Sequence, residues 1–87
     1  MKDLEKVYRA LGNRRRLRII QLLIQNKEMS VIELAEALRL SYRATSKHAN
    51  LLAATAILDK EQRGSYAYYR IADEPTQPVA SALKHIR

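Results

Sequence analysis

The sequence has 87 residues, enough for one small domain whose modest core a second copy would help to stabilise. Sixteen Lys and Arg against 9 Asp and Glu give a net charge of +7, an excess that favours polyanionic partners, nucleic acid most simply. With 0 Cys there is no disulfide, thiolate metal site or thiol redox switch, and 2 Gly with 2 Pro are too few for a disordered tail.

No apolar run is long enough to span a bilayer, and the start lacks a signal-peptide pattern, so we expect a cytoplasmic protein without membrane association. Leu4, Val7 and Leu11 recur at helical spacing with Tyr8 beside them, which predicts a first helix over residues 3–11. Gly12 is expected to end it in a left-handed turn, and Asn13 to cap the next helix. That second helix carries Leu17, Ile20, Leu23 and Ile24 on one stripe. Arg14, Arg15, Arg16 and Arg18 crowd its start, where they oppose the macrodipole. Either an external phosphate or plain solvation offsets that cost.

Gln25-Asn26-Lys27-Glu28 reads as a polar connection. Ser30 and Glu33 then have the spacing of a capping box at the head of a third helix. Its buried stripe is Val31 or Ile32, then Leu34, Ala35 and Leu38, and Leu40 packs at the following turn. Ser41 is the expected cap of a fourth helix, 41–54. One stripe of this helix is Thr45, His48 or Ala49, and Leu52; Tyr42, Arg43, Ser46, Lys47 and Asn50 point the other way.

Residues 57–71 read as a β-hairpin turning at Gly64-Ser65. Period-two alternation puts Ala67, Tyr69 and Ile71 on the core face, and Tyr66, Tyr68 and Arg70 on the other. Pro75 and Pro78 break the chain before a short last helix, 78–87, with Val79, Leu83 and Ile86 on one side. So short a helix must dock, and the first helix of its own chain or of a partner is the candidate.

These elements make a mainly α fold with a small β-hairpin: a single winged helix-turn-helix domain spanning 1–87. Helices 1 to 4 precede a two-stranded wing and a short C-terminal helix. In that arrangement the fourth helix enters a DNA major groove. Arg43 and Lys47 then suit guanine acceptors or phosphates, and the hydroxyls of Ser41 and Ser46 suit phosphate oxygens. Tyr42 is placed for a phosphate or a thymine methyl, and Asn50 lies on the same face. Arg63 and Gly64 form the wing tip, aimed at a minor groove, with Tyr66 and Tyr68 leaning on the backbone. The plainer role for the helix residues is a solvated polar face, and for the tyrosines cross-strand packing.

In order and spacing these segments resemble the ArsR family of winged-helix transcriptional repressors over roughly residues 4–72. Leu11 to Ile20 is similar to the family's L-x-D-P-T-R-L-x-I-L. Glu33 to Leu38, with Leu40-Ser41, matches E-L-A-x-x-L-x-L-S. Ser46-Lys47-His48 with Leu51-Leu52 resembles S-x-H-L-x-x-L, and Tyr68 to Ile71 matches Y-Y-x-L. The chain departs from the pattern where Arg39 and Ala56 replace common glycines, and where Ala44-Thr45 and Ala49 replace larger apolar residues.

The resemblance implies a transcriptional repressor; if the terminal helices pair, a symmetric homodimer follows, and with it an inverted repeat in double-stranded DNA. Leu4, Val7, Leu11, Val79, Leu83 and Ile86 are then the dimer interface, and their alternative is packing within one subunit. Metal-sensing relatives carry Cys-x-Cys where Ser30 and Ile32 stand, and His85 with Asp73 is too sparse for a ligand set, so no metal or cofactor is expected. The effector is left open. A rival reading is a winged-helix protein-interaction module, or a nonspecific or architectural DNA binder. An enzyme is not expected, since no catalytic set or phosphate-binding glycine loop appears.

Overall fold

Five apolar stripes close on one core, and local caps decide where three of the helices begin. The computed structural model describes residues 2–73 and, beyond them, Ala80, Ser81, Leu83, Lys84 and Ile86; of Lys2 and Asp3 it describes the backbone alone. Pro75, Pro78, Val79 and His85 lie outside the described residues. The elements in chain order are α1 (Lys2–Leu11), α2 (Arg14–Asn26), β1 (Glu28–Ser30), α3 (Val31–Leu38), α4 (Tyr42–Ala54), β2 (Leu58–Arg63) and β3 (Tyr66–Ile71).

The caps are as expected. The Asn13 side chain accepts from the amides of Arg15 and Arg16, at 3.0 and 3.1 Å. Ser30 and Glu33 form the reciprocal capping box, the Ser30 amide donating to Glu33 at 2.9 Å and the Glu33 amide to Ser30 at 3.2 Å. Ser41 Oγ accepts from the Ala44 amide at 3.1 Å. Such caps contribute on the order of 1 kcal/mol each by satisfying first-turn amides that have no intrahelical partner.

The helix ends depart from expectation. Gly12 does not take a left-handed conformation; among the described glycines that belongs to Gly64, φ 61°. The end of α1 is closed instead by Gly12 donating to Tyr8 O at 2.9 Å, and by Arg16 donating to the carbonyls of Ala10 and Arg9 at 2.6 and 3.0 Å. Non-glycine residues occupy the left-handed half of conformational space after α2, α3 and α4: Lys27, Arg39 and Ala56. The last two close helices in the Schellman pattern, with Leu40 and Ile57 donating back to Ala35 O and Leu52 O at 3.1 and 3.0 Å.

The sheet is three-stranded and antiparallel, ordered β1-β3-β2, rather than a bare two-stranded wing. The segment read as a polar connection contributes β1, which pairs Glu28 with Arg70, Met29 with Tyr69 and Ser30 with Tyr68. The third strand anchors the hairpin to the helical body. Ala67 and Tyr69 face the core as alternation required, and Leu58 joins them. Ile19, Ile20 and Leu23 of α2, Val31 and Leu34 of α3, and Ala49 and Leu52 of α4 fill the centre. Val7 and Ala10 cover it from α1, with Leu83 and Ile86 packed against its margin.

Candidate nucleic-acid interface

Helix α4 divides into two faces by the expected periodicity. Thr45, Ala49 and Leu52 are fully buried, so two of the substituted positions, Thr45 and Ala49, pack completely, while Ala44 is half-buried. Thr45 keeps its hydroxyl satisfied by donating to Ser41 O at 2.9 Å. That burial fixes the rotation of the helix. Tyr42, Arg43, Lys47 and Asn50 are exposed on its other side, with Ser46 half-buried among them. No acidic residue occupies the first turn of α4, so the positive end of its dipole is uncompensated. The same holds for α2, where Arg14 and Arg15 are exposed. An anion is therefore favoured at both helix starts.

Arg16, the third residue of that arginine run, serves the fold instead. Besides closing α1, its Nη1 lies 3.4 Å from His48 Nδ1. A guanidinium only donates, so Nδ1 accepts in this contact. Partial burial holds the His48 pKa below the ordinary imidazole value, and Arg16, Arg15 and Lys47 push it the same way. The neutral ring is thus a wedge between α2 and α4.

Asn50 is more constrained than an exposed helix position suggests. Its Oδ1 accepts from the Tyr69 hydroxyl and from Lys60 Nζ, the latter at 3.1 Å, while its Nδ2 donates to Ser46 Oγ at 3.3 Å. Burial raises the Tyr69 pKa, with Tyr42 adding to the shift, so the phenol stays protonated as donor. Lys60 was not among the sequence candidates. It opposes Tyr69 in register and therefore shares the α4 side of the wing. The alternation that assigned Tyr69 inward, applied across the hairpin, was the available signal.

The other side of the wing is acidic. Glu28, Asp59 and Glu61 share it with Arg63, Tyr66, Tyr68 and Arg70 by register. Arg63 Nη1 and Nη2 each sit 2.7 Å from separate oxygens of Glu28, and Nη2 is 3.0 Å from Glu61. The guanidinium lies over the Tyr68 ring, 4.5 Å from its centroid. Arg70 faces Asp59 at 3.9 Å and Asp73 at 3.8 Å. Four carboxylates thus meet two guanidiniums here, leaving two net negative charges on a chain that is +7 in total. Of the predicted wing contacts, Gly64 and Tyr66 are exposed and Tyr68 is half-covered. Arg63 is engaged rather than free.

The HVO_A0114 family model matches residues 12–71, more than half of the chain. The chain is 34% identical over 92% of its length to the arsenic resistance transcriptional regulator ArsR1 of Pseudomonas putida, and spans 62% of that protein. It is 31% identical over 98% of its length to a homologue of the cadmium resistance transcriptional regulatory protein CadC from Staphylococcus aureus, spanning 71% of it. The chain belongs to the HVO_A0114 family and is a divergent ArsR-like regulator. Among solved structures it is similar to Mb0332 of Mycobacterium bovis, a homodimeric winged helix-turn-helix DNA-binding domain and possible ArsR-family regulator. The TM-score is 0.81 at 29% identity, covering 98% of this chain and 75% of that one.

The ArsR-like chain keeps the family's winged helix-turn-helix but has no cysteine at all. Among the described residues no group of three or more His, Cys, Asp or Glu is arranged to hold a metal ion. Nor, among them, is any helix long and apolar enough to cross a membrane.

Proposed function

We propose that this domain is a dimeric transcriptional repressor that binds an inverted repeat in double-stranded DNA, with α4 in the major groove. The observation that carries the reading is the split of α4: a fully buried Thr45/Ala49/Leu52 stripe presents Tyr42, Arg43, Lys47 and Asn50 together above an uncompensated helix start. Arg43 is the candidate base reader, through guanine acceptors in the major groove. Lys47, Ser41, Ser46 and the first-turn amides of α4 supply phosphate contacts, and Lys60 adds a charge from the wing. Arginines 14 and 15 at the start of α2 widen the basic surface. The reading involves no catalytic step and places the protein in the cytoplasm.

For the dimer, which the homodimeric state of the similar Mb0332 domain supports, we propose pairing through α1 and the residues after the wing. Val7 is already spent on its own core at 5% exposure. Leu4 and Leu11 are half-buried and Tyr8 is 59% exposed, so these supply the surface that a second copy would cover, beside Leu83 and Ile86. Two-fold symmetry then sets half-sites about 34 Å, one helical turn, apart or at multiples of it. Sedimentation equilibrium with and without a duplex tests this part: two protomers per duplex are expected, and a monomer on DNA contradicts it.

The acidic wing face favours a second reading, a module that docks a protein or binds DNA without sequence preference. It predicts binding driven by salt alone and indifferent to duplex sequence.

A further inference from the structure

The guanidinium of Arg63 is held in the same planar, two-toothed geometry that it would need for a phosphate or a guanine edge. Both terminal nitrogens sit 2.7 Å from the two oxygens of Glu28, and the ring of Tyr68 lies beneath the plane. Glu28 comes from β1, 35 residues earlier in the chain, and is the acid of that three-residue strand. Glu61, by contrast, reaches one nitrogen only, at 3.0 Å. Binding to Glu28 and binding to nucleic acid through the same fork are mutually exclusive.

We infer that Glu28 is a positioning residue that sets DNA affinity by holding the wing arginine on the wing. This inference rests on the DNA-binding reading above. While the clamp is closed, the contact surface is α4, the start of α2 and Lys60. Opening it frees Nη1 of Arg63, at the turn into Gly64-Ser65, for one further phosphate.

The test is a cycle of wild type, E28Q, R63A and the double variant. Binding to a mixed-sequence duplex is followed by fluorescence anisotropy across a salt series, with thermal melts of each protein. E28Q is expected to bind roughly three- to tenfold tighter at low salt, and to steepen the slope of log affinity on log salt by about 0.9, the value of one phosphate. R63A should cancel the gain when combined with E28Q.

E28D keeps the charge but shortens the reach, so it too should tighten binding; this separates release of the arginine from mere loss of an acid. Equal tightening by E28Q in the R63A background, or none in either E28Q or E28D, overturns the inference while leaving the DNA reading intact. Failure of every protein, wild type included, to bind duplex overturns the proposed function and this inference with it.

Discussion

The hydroxyl of Tyr69 donates to the side-chain oxygen of Asn50, joining the buried strand of the wing to the exposed face of α4. Tyr69 is 1% exposed and sits in the central strand of the sheet, so its position is fixed by the core. Asn50 then passes that constraint to Ser46, one turn back on α4. The orientation of the candidate reading helix is thereby referred to the sheet as well as to the helical core.

Tyr69→Phe removes this link without a large change of volume. The expected loss is about 1 kcal/mol of stability. For a domain of this size that is a fall of roughly 4–8 °C in Tm, readable by circular dichroism. Duplex affinity should fall while the salt slope stays unchanged, because no phosphate contact is removed. A wild-type Tm would contradict the role given to this hydrogen bond.

The two cations of α4 should separate by kind of contact. Arg43→Ala is expected to cost about 1–3 kcal/mol on the preferred sequence and to relax the preference at one base position. Lys47→Ala should weaken binding to all duplexes alike and reduce the salt slope by about one. Competition binding against single-base operator variants distinguishes the two. Identical behaviour would undo the assignment of Arg43 to a base edge.

Cap signals were legible in the sequence because they are local. Asn13, the Ser30/Glu33 box and Ser41 each act within three residues of themselves, and all three were read correctly. The inward set Ala67 and Tyr69 followed from simple alternation. Strand β1 was not legible: three residues carry no period, and the partner that makes them a strand lies about forty residues downstream. The engagement of Arg63 was hidden for the same reason, since Glu28 is distant in sequence. Gly12 misled because glycine after a helix usually signals a left-handed cap, whereas Arg16 supplies the closure here.

Arg39 takes a left-handed conformation, φ 55° and ψ 44°, at the turn between α3 and α4. The strain of a side chain there is about 1–2 kcal/mol, offset in part by the greater entropy that glycine loses on folding. Arg39→Gly should therefore stabilise the domain by about 0.5–1 kcal/mol in chemical denaturation. A destabilised variant would show that the arginine side chain makes a compensating contact.

His48 gives the fold a pH dependence of known sign. Its folded pKa lies below the ordinary imidazole value of 6.5, so the unfolded chain binds the proton more readily. Stability therefore rises with pH through this range and declines on acidification below about 6.5, as protonation charges a part-buried ring and sets it against Arg16, Arg15 and Lys47. Urea midpoints from pH 7.5 to 5 should fall more steeply for the wild type than for His48→Gln. Parallel profiles would remove His48 as the titrating group.

The most direct test of the central claim is selection from a randomised pool of double-stranded DNA by the purified protein at near-physiological salt. The account predicts enrichment of one inverted repeat with half-sites a whole number of helical turns apart, and a consensus that Arg43→Ala relaxes. Recovery of unselected sequence, from protein that still binds duplex, would contradict it.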